Sequence, residues 1–187
     1  FNEPSDNSLS KAMDNFWKSL QDLSNNPESS ATRSTVRERA KTLVDSFHSI
    51  DKQLSDYKKS LNRDVNTTVD KINSLSQRIA DLNKQIVHIK GAGKNPNDLM
   101  DQRDNLVEKI NKYVNLQTNT DKRGNLNISL GGMGLVNGDE TNALKTVKGS
   151  DNPYESKVEF KASGIDAKIK NGELAGTRKS RRGLVLS

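Results

Sequence analysis

Residue types that could carry catalysis are sparse in this sequence and poorly spaced for it. His48 and His88 are the two histidines, and both fall within one continuous helical pattern. Forty residues of helix between them would place them roughly 60 Å apart, so they cannot share a site within one chain. Acidic and basic residues alternate along the same pattern, which is typical of a solvated helix surface and not of paired carboxylates in a cleft. The sequence therefore predicts that the protein is not an enzyme.

Cofactor and metal chemistry are not indicated either. Residues 131–134 are glycine-rich, with the sequence Gly-Gly-Met-Gly. A phosphate-binding loop joins a strand to a helix, whereas this segment lies between two predicted strands, which favours a β-turn or bulge. The chain contains no cysteine, which excludes a disulfide framework and a Cys-based zinc site. We expect no catalytic residue, no cofactor and no metal.

The element that must position any functional surface is one very long predicted helix. Between Pro27 and Lys90 the sequence has no glycine and no internal proline. Apolar positions recur about every 3.5 residues, the period of a helix that keeps one seam against a neighbour. Such a helix would be roughly 95 Å long. The apolar seam consists of Phe47, Ile50, Leu54, Tyr57, Leu61, Val65, Val69, Ile72, Leu75, Ile79, Leu82, Ile86 and Ile89.

Two shorter helices are predicted on either side of it. The first, of about sixteen residues through Leu9–Leu23, ends at residues 25–28, where a proline should reverse the chain. Glycines at residues 91–93 end the long helix, and Asn97 is predicted to cap a third helix that folds back on its end. Poor helix formers at residues 66–68 predict a bend and a loss of order in the middle of the long helix.

Beyond residue 116 the apolar period changes to two. Alternation at residues 126–130 after a turn signal at 121–125 predicts a hairpin, and residues 158–160 and 165–169 repeat the alternation before a turn at 171–172. The predicted fold class is α+β: an elongated helical bundle built on one very long helix, followed by a small antiparallel β region. The predicted domains are an elongated helical rod domain at 1–116, a small antiparallel β domain at 117–173, complete or in part, and a basic tail or the start of a returning segment at 174–187.

Composition narrows the functional class. Only 31% of the 187 residues are hydrophobic and 4% aromatic, against 29% charged, which suits an elongated shape with a thin core. The net charge of +6 comes mostly from residues 157–187, and basic residues are not interleaved with aromatic ones, so no nucleic-acid partner is expected. No stretch approaches the ~20 apolar residues of a membrane span, and no cleavable signal precedes the first helix. Because the first residue is Phe1, we expect a fragment or a processed product.

Five short strings, in order, give the chain a resemblance to a known family. They are AMDNFWKSL at residues 12–20, SNNPES at 24–29, VDKINSL at 69–75, IADLNKQI at 79–86 and NDLMDQRD at 97–104. Together they resemble the flagellar hook-associated protein 1 family, over roughly residues 8–136. Residues 177–183 depart from the family pattern, because the expected apolar and acidic residues do not follow.

This resemblance implies a self-assembling structural subunit at the hook–filament junction, represented here by a central fragment that lacks both chain ends. The implied partners are other copies in a ring, the hook protein, the next junction protein or flagellin, and an export chaperone for the full-length chain. The implied location is the extracellular flagellum, reached through the flagellar type III apparatus without a cleaved signal. Open alternatives are flagellin or another axial protein, a secreted coiled-coil adaptor or effector, and a hydrolase built on the β region.

The seam and the third helix supply the candidate functional positions. Leu99 is expected to pack on the end of the long helix, and Arg103 to reach Asp101 or carboxylates of a neighbouring segment. The two short helices are too short to cover the long one, so part of the seam should need a further partner. The candidate packing and interface residues are Phe16, Trp17, Leu61, Val65, Val69, Ile72, Leu99 and Arg103.

Overall fold

A computed structural model describes residues 5–149 and 156–176 of the chain. Within these residues, three helices precede six strands, which confirms the predicted α+β class with a long helix and a small antiparallel region. Contacts group the chain into two compact units, Phe1–Lys59 and Ser60–Ser187. The domain limits at residues 116 and 173 stay predictions, and residues 177–187 of the predicted tail lie outside the described residues.

The first unit contains α1, Ser5–Asn25, and the beginning of α2, which spans Ser30–Gly91. Residues 26–29 form the predicted turn, in which the Ser29 N–H donates to the Asn26 carbonyl at 3.2 Å. The Ser29 hydroxyl accepts from the Thr32 N–H at 3.3 Å. That bond satisfies one of the free N–H groups at the start of a helix, so Ser29 caps α2 from the residue before it.

Residues 66–68 do not interrupt α2, which continues through them as one helix of 62 residues. The predicted bend and loss of order there stay predictions. Val65, Thr68 and Val69 are buried. Packing of a helix face contributes more to helical order than intrinsic propensity does, so the poor helix formers there are tolerated.

The third helix, α3, spans Asn97–Tyr113. Its N-cap position is Pro96 and no side chain caps it, so the prediction that Asn97 caps the helix is wrong by one residue. Because proline has no N–H to satisfy, it is readily accommodated at the start of a helix. Leu106, Ile110 and Val114 are buried as predicted, whereas Leu99 is only half-buried.

Two antiparallel sheets follow α3. The first has its four strands in sequence order, and the second is one antiparallel pair of strands. Leu116 pairs with Leu130 in the first sheet, and Leu144 pairs with Phe160 in the second. The strands are β1 Leu116–Thr120, β2 Leu126–Leu130, β3 Met133–Asn137, β4 Glu140–Thr141, β5 Leu144–Lys148 and β6 Ser156–Phe160.

The glycine-rich segment is a turn, as predicted. Gly131 and Gly132 join β2 to β3 with φ values of 61° and 88°, the left-handed pair that a tight hairpin turn requires. A Cβ on Gly131 would lie 2.5 Å from the carbonyl oxygen of Ala167, so the turn also needs glycine for a close approach. The β-bulge is a separate feature, between Ile128 and Ser129.

The strand predicted at residues 165–169 is reduced to a single antiparallel bridge, between Glu159 and Asp166. The Phe160 N–H donates to the Ile165 carbonyl and the Ala167 N–H donates to the Val158 carbonyl, both at 2.9 Å. Gly164 and Lys168 have φ values of 69° and 46°, so left-handed residues interrupt extension on both sides. Ala167 is nevertheless buried, which explains the apolar alternation.

One core fills the second unit. It combines α3 and both sheets with the part of α2 after residue 60, and its largest fully buried side chains include Ile72, Ile79, Ile110, Leu135 and Phe160. The uncovered part of the apolar seam therefore lies before residue 60, and not in the middle of α2 as predicted.

Candidate functional site

The candidate functional features among the described residues are packing surfaces. Within residues 5–149 and 156–176, no cluster of His, Cys, Asp or Glu side chains could hold a metal ion. None of the helices among them is long and apolar enough to cross a membrane. His48 and His88 are both exposed, as expected for surface histidines.

An exposed apolar stripe on α2 dominates the first unit. It consists of Val44, Phe47, Leu54 and Tyr57, of which Val44 and Phe47 are 50% and 51% exposed. The spacings of three, seven and three residues place all four on one helix face, at positions that would face a partner in a coiled coil. We call this face the open stripe. This spacing is typical of a helix face that packs against a second helix.

Helix α1 adds two exposed apolar side chains in the same unit. Trp17 is 64% exposed and Met13, one turn away, is 42% exposed. Ala12 and Ser19 are buried on another face of α1, and Phe16 is half-buried. Of the two predicted positions on α1, therefore, Phe16 contributes to packing and Trp17 is left at the surface.

In the second unit, asparagines of α2 attach the β strands to the helix. The Asn73 side chain donates from Nδ2 to the Leu144 carbonyl at 2.9 Å and accepts from the Leu144 N–H at 2.8 Å. It therefore pairs with β5 as a neighbouring strand would. Because both hydrogen bonds go to backbone, they fix where the strand lies along α2 whatever its side chains are.

Asn66 and Asn62 make similar attachments about two and three turns before Asn73. The Ser156 hydroxyl donates to Asn62 Oδ1 at 2.6 Å, and the Thr146 hydroxyl donates to Asn66 Oδ1. With Asn73 and Asn83 these residues form a set that we call the asparagine row. Their separations of 4, 7 and 10 residues are helical repeats, so the row runs along one side of α2.

Asn83 is the most connected member of the row and is fully buried. Its Nδ2 donates to the carbonyls of Leu126, at 2.9 Å, and Gly138, at 2.7 Å. Its Oδ1 accepts from the Leu126 N–H and from Arg103 Nη1, both at 3.0 Å. Asn83 thus joins α2 to β2, to the β3–β4 turn and to α3.

Arg103 completes this junction from α3. It is only 3% exposed, and its Nη1 also donates to the Gly124 carbonyl at 2.9 Å. The expected pairing with Asp101 is wrong: the carboxylate nearest to Arg103 is Asp104, with Nε and Oδ1 3.9 Å apart. Burial lowers the pKa of the Arg103 guanidinium, and Asp104 offsets part of that effect. Arginine stays charged in proteins, so this is a buried cation whose Nη1 donates to oxygens of neutral groups while its Nε has no hydrogen-bond partner.

The Gly124 carbonyl that Arg103 binds belongs to a turn held by Asp121. Asp121 Oδ1 accepts from the N–H groups of Arg123 and Asn125 at 2.8 and 2.9 Å. Its Oδ2 accepts from the Asn125 side chain at 2.8 Å. These bonds, with the Asn125 side chain first, lower the pKa of Asp121. The predicted turn at 121–125 is therefore an Asx-type turn that presents Gly124 to Arg103.

The structure divides the predicted packing residues between the two units. Leu61, Val65, Val69 and Ile72 are buried in the second unit. Leu99 is half-buried, and its packing on the end of α2 stays a prediction. Sequence reasoning missed the asparagine row, although its members recur at helical spacing.

Known proteins are similar to this chain over most of its length. The profile of the flagellar hook-associated protein FlgK helical domain matches residues 1–186. The chain is similar to flagellar hook-associated protein 1 of Salmonella typhimurium, with 36% identity over 178 residues, covering 90% of this chain and 32% of that protein. The Bacillus subtilis protein of the same name is 37% identical over 123 residues, which are 66% of this chain and 24% of that protein.

A solved structure is also similar. The flagellar hook junction protein FlgK from Burkholderia pseudomallei superposes with a TM-score of 0.82 at 29% identity, covering 93% of this chain and 33% of that one. The chain thus spans about a quarter to a third of the length of the relatives it matches, from 24% to 33%.

Proposed function

Because the chain belongs to the flagellar hook-associated protein FlgK helical-domain family, we propose that it is a structural, self-assembling part of the bacterial flagellum at the hook–filament junction. The open stripe is the observation that carries this function, because an exposed apolar face at coiled-coil spacing serves assembly and not chemistry. On this proposal the protein is not an enzyme, and its location is the extracellular flagellum after type III export without a cleaved signal.

We propose that a helix from outside these 187 residues covers the open stripe. Four apolar side chains on one face, two of them about half exposed, favour an apolar helix face as the partner over a polar ligand. The relatives are about three times as long as this chain, which leaves ample sequence for such a helix. Burying large apolar side chains contributes about 1.5–3 kcal/mol each, so the covering helix would stabilise the first unit substantially.

The proposed partners follow from the family. They are other copies of the protein in a ring, the hook protein on one side, the next junction protein or flagellin on the other, and an export chaperone before assembly. Ring formation requires heterologous contacts, in which two different surfaces of one subunit meet. A secreted adaptor, by contrast, would bind a single partner and would not close a ring.

Electron microscopy of purified hooks tests the proposal. Full-length protein that carries these residues should add to the distal end of isolated hooks, and Phe47→Asp in the open stripe should greatly reduce this addition. Ser49→Asp, at an exposed position two residues away, introduces the same charge outside the stripe and should leave addition intact. Failure of the unsubstituted protein to bind hooks would overturn the proposed function.

A further inference from the structure

A basic cleft in the second unit contains three cations that form no ion pair with a described carboxylate. It lies where α2 ends against the β1–β2 turn, has a volume of about 420 Å³, and is lined in part by Lys90, Lys122 and Arg123. No described carboxylate lies within ion-pairing distance of these three side chains. The Lys90 side chain lies against Gly124, where an added Cβ would be 3.1 Å from its Nζ, so this cation is held at the cleft wall.

The one carboxylate in the cleft is already engaged. Asp121 uses both oxygens to hold its own turn. They accept from the backbone N–H groups of Arg123 and Asn125 and from the Asn125 side-chain amide. It offsets one of the three positive charges, so the cleft keeps a net positive charge with exposed cations at Lys122 and Arg123. Such a site fits carboxylates presented by a protein surface.

The same chain presents that surface on α3. Asp98, Asp101 and Asp104 are all exposed, and their spacing of three residues places them within one sector of the helix. Asp98 and Asp101 form no ion pair with a described residue, and Asp104 lies 3.9 Å from the buried Arg103. We call these three residues the acidic face.

The basic cleft and the acidic face lie on different sides of α3. Arg103 and Ile110 mark the buried side of the helix, and Arg103 reaches from that side to Gly124 at the cleft. The three aspartates lie on the solvent side. Two complementary patches that face different directions cannot satisfy each other within one copy, but they can repeat from copy to copy in a heterologous contact.

We propose that the basic cleft of one copy binds the acidic face of the next copy in the flagellar assembly. This inference rests on the proposed function and names a contact within it. Its occupant is a second copy because both charge patterns are present on one chain. The contact sets the order and rotation of neighbours more than their total affinity, as is usual for exposed charges.

Disulfide trapping tests this contact directly. The chain has no cysteine, so Arg123→Cys with Asp101→Cys introduces the designed pair alone within residues 1–187. Full-length protein with both substitutions, assembled on purified hooks and oxidised, should give covalent dimers and higher oligomers. Arg123→Cys with Asp70→Cys is the matched control, because Asp70 is exposed on α2 outside the acidic face, and should stay monomeric in denaturing gels.

Charge reversal gives an independent measurement. Lys122→Glu with Arg123→Glu, or Asp98→Lys with Asp101→Lys, should each lower incorporation on hooks at least about tenfold, because like charges then face each other. Variants in which all four substitutions are combined should recover incorporation. Lys84→Glu with Lys161→Glu changes the net charge equally at exposed positions and should have no effect.

The outcomes separate this inference from the proposed function. Normal assembly on hooks without the expected cross-link, or with cross-links to hook protein only, would overturn the contact and leave the proposed function standing. No assembly of the unsubstituted protein would overturn both. Loss of assembly on reversal with no recovery in the combined variant would also contradict pairing between the two patches.

Discussion

Helix α2 carries one apolar seam through two compact units, and the seam is exposed in the first unit and buried in the second. Before residue 60 it is open, with Phe47 at 51% exposure; after residue 60 Val65 and Ile72 are fully buried. The period of apolar residues is the same in both parts. The two parts differ in the polar residues beside the seam. Residues 30–59 contain no asparagine, whereas the asparagine row begins at Asn62.

Apolar periodicity therefore predicts where a helix can be covered, but not whether a strand or another helix covers it. The asparagine row hydrogen-bonds to strand backbone and to hydroxyls, which fixes a β region on the second half of α2. Asparagine is a poor helix former, so a helical row of it needs a reason beyond helix formation. The open stripe lacks such residues, which favours a helix and not a strand as its partner.

The largest expected effect comes from removing the central polar contact. Asn83→Ala would leave the Arg103 cation and the Leu126 N–H without their common acceptor in a buried site. Each lost bond of this kind costs about 1–3 kcal/mol, more for a charged group, so we expect a destabilisation of the second unit by about 3–5 kcal/mol. Amide hydrogen exchange of β2 and α3 measures it.

Asn105→Ala on α3 is the matched control, because Asn105 is exposed and its loss should change stability by no more than about 0.5 kcal/mol. Exchange in α1 should not respond to either substitution. If Asn83→Ala and Asn105→Ala were equally mild, the asparagine row would not be what separates the two halves of α2.

Sequence alone predicted the helices and the fold class, because their signals are local. Periodicity predicted α2, glycines its end, and alternation at Leu126, Ile128 and Leu130 the strand β2. The burial of Arg103 could not be predicted, because its acceptors Asn83 and Gly124 lie about twenty residues away on either side. The charged surroundings of Arg103 on α3 indicated a solvated cluster, and the long-range partners overrode that local signal.

A second prediction compares a valine in the buried part of the seam with a valine in the open stripe. Val65→Ala removes two methyl groups from a fully buried site and should destabilise the second unit by about 2 kcal/mol, from lost burial and the cavity left behind. Val44→Ala, at 50% exposure, should change stability by no more than about 0.5 kcal/mol. Hydrogen exchange in β5 and in α1 reports the two units separately.

The comparison would fail if Val44→Ala were as costly as Val65→Ala in the 187-residue chain. That result would mean that the open stripe is already covered within these residues or by a second copy. Sedimentation of the same samples distinguishes the two, since only self-association depends on protein concentration. In full-length protein the difference between the valines should shrink, because the proposed helix then covers Val44.

The smallest expected effect is a pH dependence of the stability of the Asp121 turn in the second unit. Hydrogen bonds from the Asn125 side chain and from backbone N–H groups lower the pKa of Asp121 in the folded protein. The unfolded state therefore binds the proton more readily, with an ordinary aspartate pKa of about 3.9. Stability from this turn is fully present above that value and is lost as pH falls through the lower folded pKa.

Amide exchange at Gly124 and Asn125 between about pH 5 and pH 2.5 should therefore show the turn loosening, and Arg103 losing a fixed acceptor, while the α1 amides report no matching change. Asp121→Asn keeps an oxygen acceptor but cannot titrate, so it should remove the pH dependence attributable to this turn. A pH response that persists unchanged in Asp121→Asn, or that appears equally in α1, would show that the turn is not the titrating element and that the two units do not differ in this respect.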